Sequence, residues 1–111
     1  MSLVYKILPA HAWEAAVAQG RFDGSAADLQ DGYIHLSSAA QAQETAAKYF
    51  RGQDGLVLVS LDAQALGAAL KWELSRGGAL FPHLYAPLDV SQALQVRPLT
   101  LGADGVPELG L

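Results

Sequence analysis

Two short islands of this sequence combine an imidazole with hydroxyls and aromatic rings: Tyr33-Ile-His-Leu-Ser37 and Phe81-Pro-His-Leu-Tyr85. Side chains two positions apart on a strand share a face, so His83 points with Tyr85. By the same alternation His35 points with Tyr33, away from Ile34 and Leu36. An imidazole and a phenol aimed together can orient a ligand hydroxyl or share a proton. His35 also stands just ahead of Ser37 and Ser38, where a helix is expected to begin. Free helix amides beside an imidazole suit a phosphate or a hydroxyl-rich ligand. The plainer readings are a histidine bonded to neighbouring backbone, a core Tyr85 with its hydroxyl at the surface, and Ser38 as a cap alone. Trp72 and Glu73 add an indole and a carboxylate on opposite faces of a nearby segment; Glu73 is either a general base or an ordinary exposed glutamate. The catalytic candidates are therefore His35, His83 and Glu73, and the ligand-binding candidates His35, Ser37, Trp72, His83 and Tyr85. A shared site requires the two histidines to meet in one pocket.

Several chemistries are disfavoured by what the chain lacks. It has no cysteine, so disulfides, thiolate metal sites and cysteine nucleophiles are excluded. The histidines show no paired spacing such as His-x-x-x-His, and no metal site is expected. Phosphate-cradling glycine loops and the G-x-S-x-G elbow are absent. The net charge is −4, with cations scattered at Lys6, Arg21, Lys48, Arg51, Lys71, Arg76 and Arg97. Nucleic acid needs a clustered basic face and is disfavoured as a partner, whereas a small nucleotide needs only one or two cations and helix amides. No run of about eighteen apolar residues spans a bilayer, and Lys6 and Pro9 interrupt the apolar N-terminus, so a cytoplasmic location without membrane contact is expected.

The elements that must position these groups follow from local pattern. Leu3 to Leu8 is β-branched and aromatic enough for a strand. Pro9 suits a helix start, with Trp13, Ala16 and Val17 on one face and Gly20 as the stop. Arg21 to Gln30 reads as a connection with one helical turn near Ser25 to Asp28, and Asp31-Gly32 as a turn. Ser38 and Gln41 form a capping-box pattern. The helix they open carries an apolar stripe of Ala39, Ala42, Ala46, Tyr49 and Phe50, runs to about Arg51 and ends at Gly52. Leu56 to Leu61 lacks polar alternation and predicts a strand buried on both faces. Asp62 caps a short turn, Ala69 to Leu74 is a strand with Leu70, Trp72 and Leu74 on one face, and Leu94 to Leu101 is the last strand. The expectation is one α+β domain over 1–101, a small bent or split sheet with flanking helices, and a loosely ordered tail over 102–111.

Val4-Tyr-Lys-Ile-Leu8, Trp13-Glu14, Asp31-Gly-Tyr-Ile-His-Leu-Ser37 with Gln41, Lys71-Trp-Glu73, and Phe81-Pro-His-Leu-Tyr85 with Pro87-Leu88 occur in one order. That order is similar to the small bacterial family described as domain of unknown function 952. More distantly, the succession of strand, helix, glycine, connection and His-Leu-Ser resembles the first half of the tRNA 2′-phosphotransferases, which have the ADP-ribosyltransferase-like fold. Those enzymes carry Tyr-His-Gly-Thr on the opening strand and His-Val-His-Leu-Ser on the next. Here Tyr33 to Ser37 keeps part of the second motif, while Tyr5 is followed by Lys6, Ile7 and Leu8 in place of His-Gly-Thr.

The resemblance implies a cleft for a small polar ligand of nucleotide or NAD type, with NAD the cofactor to test. In a transferase of that kind His35 would orient a ribose hydroxyl, His83 or Glu73 would act as acid or base, and Tyr85 would stack or hydrogen-bond. The loss of His-Gly-Thr favours a second reading, a non-catalytic ligand-sensing or interaction module on the same scaffold. A histidine-metal hydrolase ranks last.

Overall fold

The chain opens with β1 (Leu3–Pro9), and Pro9 is the N-cap of α1 (Ala10–Gln19). Gly20 ends α1 in the left-handed conformation (φ 93°), which a side chain rarely tolerates. After β2 (Arg21–Phe22) comes α2 (Ala26–Asp31), opened by a reciprocal capping box between Ser25 and Asp28. Then follow β3 (Ile34–His35), β4 (Ser37–Ser38) and α3 (Ala39–Tyr49). The second half runs through β5 (Leu56–Asp62), α4 (Ala63–Leu66), β6 (Leu70–Leu74), β7 (Leu80–Leu84), β8 (Leu88–Asp89), β9 (Gln95–Pro98), β10 (Thr100–Leu101) and β11 (Pro107–Glu108). This computed structural model describes residues 2–111, without the side chain of Arg76.

The strand pairings among the described residues are antiparallel. The main sheet has the order β4-β1-β5-β9, and a smaller one has the order β3-β7-β6. Two-stranded pairs, β2-β8 and β10-β11, complete the set. The architecture is α+β. Both faces of the central β1–β5 pair are buried, and each face supports its own core. Val4, Leu8, Val57, Val59 and Leu61 pack with Trp13, Ala16 and Phe22 on one side. Tyr5, Ile7, Leu56 and Leu58 pack with Ala42, Ala46 and Leu109 on the other. Each large apolar side chain so buried contributes about 1.5–3 kcal/mol of transfer free energy. β5 is an interior strand, as its lack of polar alternation predicts.

Several local expectations change. Val17 is largely exposed, because one turn of α1 already supplies Trp13 and Ala16 to the core. Asp31 belongs to α2 instead of a turn, and Gly32 is that helix's left-handed terminus. α3 stops at Tyr49 with Phe50 as C-cap, and Gly52 gives its amide to Gly105 across the molecule. Tyr49 is exposed. On β6, the edge of its sheet, Trp72 and Leu74 are exposed. The expected last strand breaks at Leu99, whose amide bonds to Leu56 and whose side chain is buried, and β10 turns away to pair with β11. The tail is held: Val106 and Leu109 fill the second core, and Gln43 bonds the backbone of both Pro107 and Leu109. Those apolar residues supply burial that composition alone, rich in glycine and proline, obscures.

Candidate functional site

The two histidine islands meet because β3 and β7 pair with His35 directly opposite His83. Cross-strand partners carry their side chains on the same face within contact distance. The imidazole centroids are 5.8 Å apart in an edge-on arrangement. Tyr33 stacks on His83 at 4.0 Å, and its ring lies 4.6 Å from His35 and 5.2 Å from Tyr85.

His35 is set by α2 and β1. The Asp28 carboxylate accepts from the backbone amides of Ser25 (2.9 Å) and His35 (3.1 Å) and from His35 Nδ1 (2.6 Å). Lys6 Nζ donates to both Asp28 oxygens, at 3.2 and 3.0 Å, and to the His35 carbonyl at 3.0 Å. Three acceptors thus occupy the three donors of a buried ammonium. Burial alone pushes the Asp28 carboxyl upward, but the Lys6 charge and the hydrogen bonds from Ser25, His35 and Lys6 hold it below the ordinary value. On its other side, His35 Nε2 lies 2.9 Å from Asp31 Oδ2.

His83 is set by the β6–β7 hairpin. Its Nδ1 donates to Glu73 Oε1 at 2.9 Å, and the Tyr85 hydroxyl donates to the same oxygen at 2.6 Å. The Tyr85 bond, then the His83 bond, depresses the Glu73 carboxyl, and the same contact pushes the Tyr85 phenol up to about 12. An ionised carboxylate only accepts, so Nδ1 carries the proton, and among the described residues no hydrogen bond occupies Nε2.

A cavity of about 360 Å³ opens beside these groups. Lys6, Asp28, Asp31, His35, Ser37, Thr45, Ser75 and His83 supply its polar wall, and Tyr5, Ile7, Leu36, Tyr49, Phe50 and Phe81 its apolar and aromatic wall. The hydroxyls of Ser37 and Thr45 are 3.0 Å apart. Of the residues singled out from sequence, His35, Ser37 and His83 line this cavity. Glu73 and Tyr85 stand behind His83, outside the lining. Trp72 lies apart, in a shallow depression of about 290 Å³ with Ser2, Ala63, Gln64 and Leu70. Among the described residues no three His, Asp or Glu side chains are grouped to hold a metal ion, and no helix is long and apolar enough to cross a membrane.

Sequence reasoning missed Lys6, Asp28 and Asp31. Two signals were present. A lysine inside the apolar run Leu3 to Leu8 needs a buried partner, and Ser25-Ala-Ala-Asp28 has capping-box spacing, which fixes the carboxylate at the start of α2.

The chain is similar to protein CC0527 from Caulobacter crescentus, whose crystal structure is 63% identical, covers 98% of this chain and 96% of that one, and superposes with a TM-score of 0.96. The solution NMR structure of CC0527 gives 64% identity, 99% and 95% coverage and a TM-score of 0.90. No curated protein matches. Residues 7–96 match the family described as "Protein of unknown function (DUF952)", and the chain belongs to that family.

Proposed function

We propose that this protein binds a small nucleotide-like ligand of the NAD type in the 360 Å³ cavity, with His83 as the group that exchanges a proton with it. The observation that carries the reading is the pair His35 and His83, brought from distant segments side by side into the lining of a cavity that aromatic side chains also line. Ligand pockets span roughly 300–1,000 Å³ and combine apolar walls with a few convergent polar groups. The volume is at the small end of that range and suits a ring with its sugar better than a whole dinucleotide. Ser37, Thr45 and His83 supply groups for sugar hydroxyls, and Phe50 and Phe81 a face for the ring. Glu73 and Tyr85 act here as positioning residues for His83. The resemblance of Tyr33 to Ser37 to the ADP-ribosyltransferase-like motif supports a ligand of this class.

A specific observation favours the second reading, a ligand-sensing module without turnover. Lys6 stands where the transferases carry a histidine, and its three donors are spent on Asp28 and the His35 carbonyl. Thermal unfolding with NAD, nicotinamide mononucleotide, adenosine or divalent metals tests the proposal. A nucleotide at about 100 times its Kd should add about 2.7 kcal/mol of stability, and His83→Ala should abolish that gain. No shift with any nucleoside or nucleotide contradicts the proposal. Nicotinamide release from NAD decides for a transferase, and binding without release decides for the sensor.

A further inference from the structure

His35 has a carboxylate at each ring nitrogen, Asp28 at Nδ1 and Asp31 at Nε2. The Asp28 contact is a hydrogen bond, whereas the Asp31 oxygen lies 2.9 Å from Nε2 as a charge pairing that exists when the ring is protonated. The two partners differ sharply in how they are held. The Asp28 side chain is 2% exposed and accepts additionally from Lys6 and from two backbone amides. The Asp31 side chain is 47% exposed and reaches His35 from the last residue of a short helix, next to Gly32. Lys6 and Asp28 offset each other's charge, which leaves Asp31 as the carboxylate set against His35 alone. Turning Asp31 into water leaves Nε2 without a carboxylate beside it, at the wall of the cavity that both residues line. Glu73 does not compete for it, being directed to His83 and Tyr85.

We infer that His35 Nε2 is an oxyanion subsite and that Asp31 is its internal occupant, displaced by a phosphate or carboxylate oxygen of the incoming ligand. The inference rests on the cavity being a ligand site and adds to that reading the place of the ligand's anionic group. Asp31 then sets both affinity and specificity: a ligand without an anion leaves Asp31 in place, and one with an anion must compete with it.

The test is a titration of inorganic phosphate into ¹⁵N-labelled wild-type protein and Asp31→Ala, read at the imidazole nitrogens. Exposed ion pairs are worth up to about 1 kcal/mol, which converts to about a fivefold change in Kd. Asp31→Ala should therefore bind phosphate about fivefold more tightly than wild type, with the largest shift at His35 Nε2. The gain should vanish in Asp31→Ala/His35→Gln; because the ring shift locates the gain in the single variant, the test does not depend on the double variant folding. A matching gain with acetate assigns a carboxylate-tolerant subsite, and a gain with phosphate alone assigns a phosphate subsite; either supports the inference. Equal phosphate affinity in wild type and Asp31→Ala, or a gain located away from His35, overturns it. Adenosine, which has no anionic group, reports separately on the nucleoside cavity, so failure of one proposal is distinguishable from failure of the other.

Discussion

Two imidazoles face each other across one strand pairing, yet their surroundings give them different work. His35 is held at both nitrogens, on one side by a buried carboxylate that also neutralises a buried lysine. His83 is held at one nitrogen by a partly exposed carboxylate on an edge hairpin. The first arrangement ties β1, α2 and β3 together, and its cost of disruption is paid by the fold. The second orients a ring and leaves a nitrogen for proton transfer. Residue type does not distinguish the two histidines; the number and burial of the carboxylates beside them does.

The largest contrast is expected in stability. Asp28→Ala leaves Lys6 buried without its counter-charge, and such changes cost roughly 3–5 kcal/mol. Urea unfolding should show this loss, while Glu73→Gln in the other cluster should leave the midpoint almost unmoved. Equal losses in both variants would erase the distinction between the clusters.

The same contrast has a pH signature. The folded-state value of Asp28 is depressed, so its contribution is fully present above the ordinary aspartate value of 3.8 and is lost as pH falls through the lower folded value. Melting temperature should drop in that acid range for wild type, and Asp28→Asn should flatten the drop. An unchanged acid limb would mean that other carboxylates set it.

Smaller effects follow. Ser25→Ala removes half of the capping box that presents Asp28 and should cost about 1 kcal/mol in chemical denaturation. Tyr85→Phe should leave stability nearly unaltered. It should also let the Glu73 carboxyl titrate closer to its ordinary value, because the Tyr85 bond is the leading cause of its depression. Carboxyl ¹³C shifts against pH measure this directly, and an unmoved Glu73 would argue against the shared-oxygen contact.

Elements governed by local pattern were legible in the sequence. The run Leu56 to Leu61, which lacks polar alternation, announces a strand buried on both faces, and Ser38 with Gln41 announces α3, where the Ser38 amide donates to the Gln41 side chain at 3.1 Å. The meeting of His35 with His83 was legible as a requirement of a shared site, because each lies in a short polar-aromatic strand. What stayed hidden depends on distant partners. Lys6 is buried only because Asp28 comes back across 22 residues. Glu73 looks like a free base until the hairpin register places it on His83 and Tyr85. The burial of Val106 and Leu109 stayed hidden because which loop closes a core is decided by packing that short-range pattern does not encode.

The most direct test of the central claim is the imidazole ¹⁵N spectrum of both histidines during titration with nicotinamide mononucleotide. The account predicts a His83 ring protonated at Nδ1 whose Nε2 resonance moves with saturation. A ligand that binds while His83 Nε2 stays unmoved, or a His83 ring protonated at Nε2 instead of Nδ1, would contradict it.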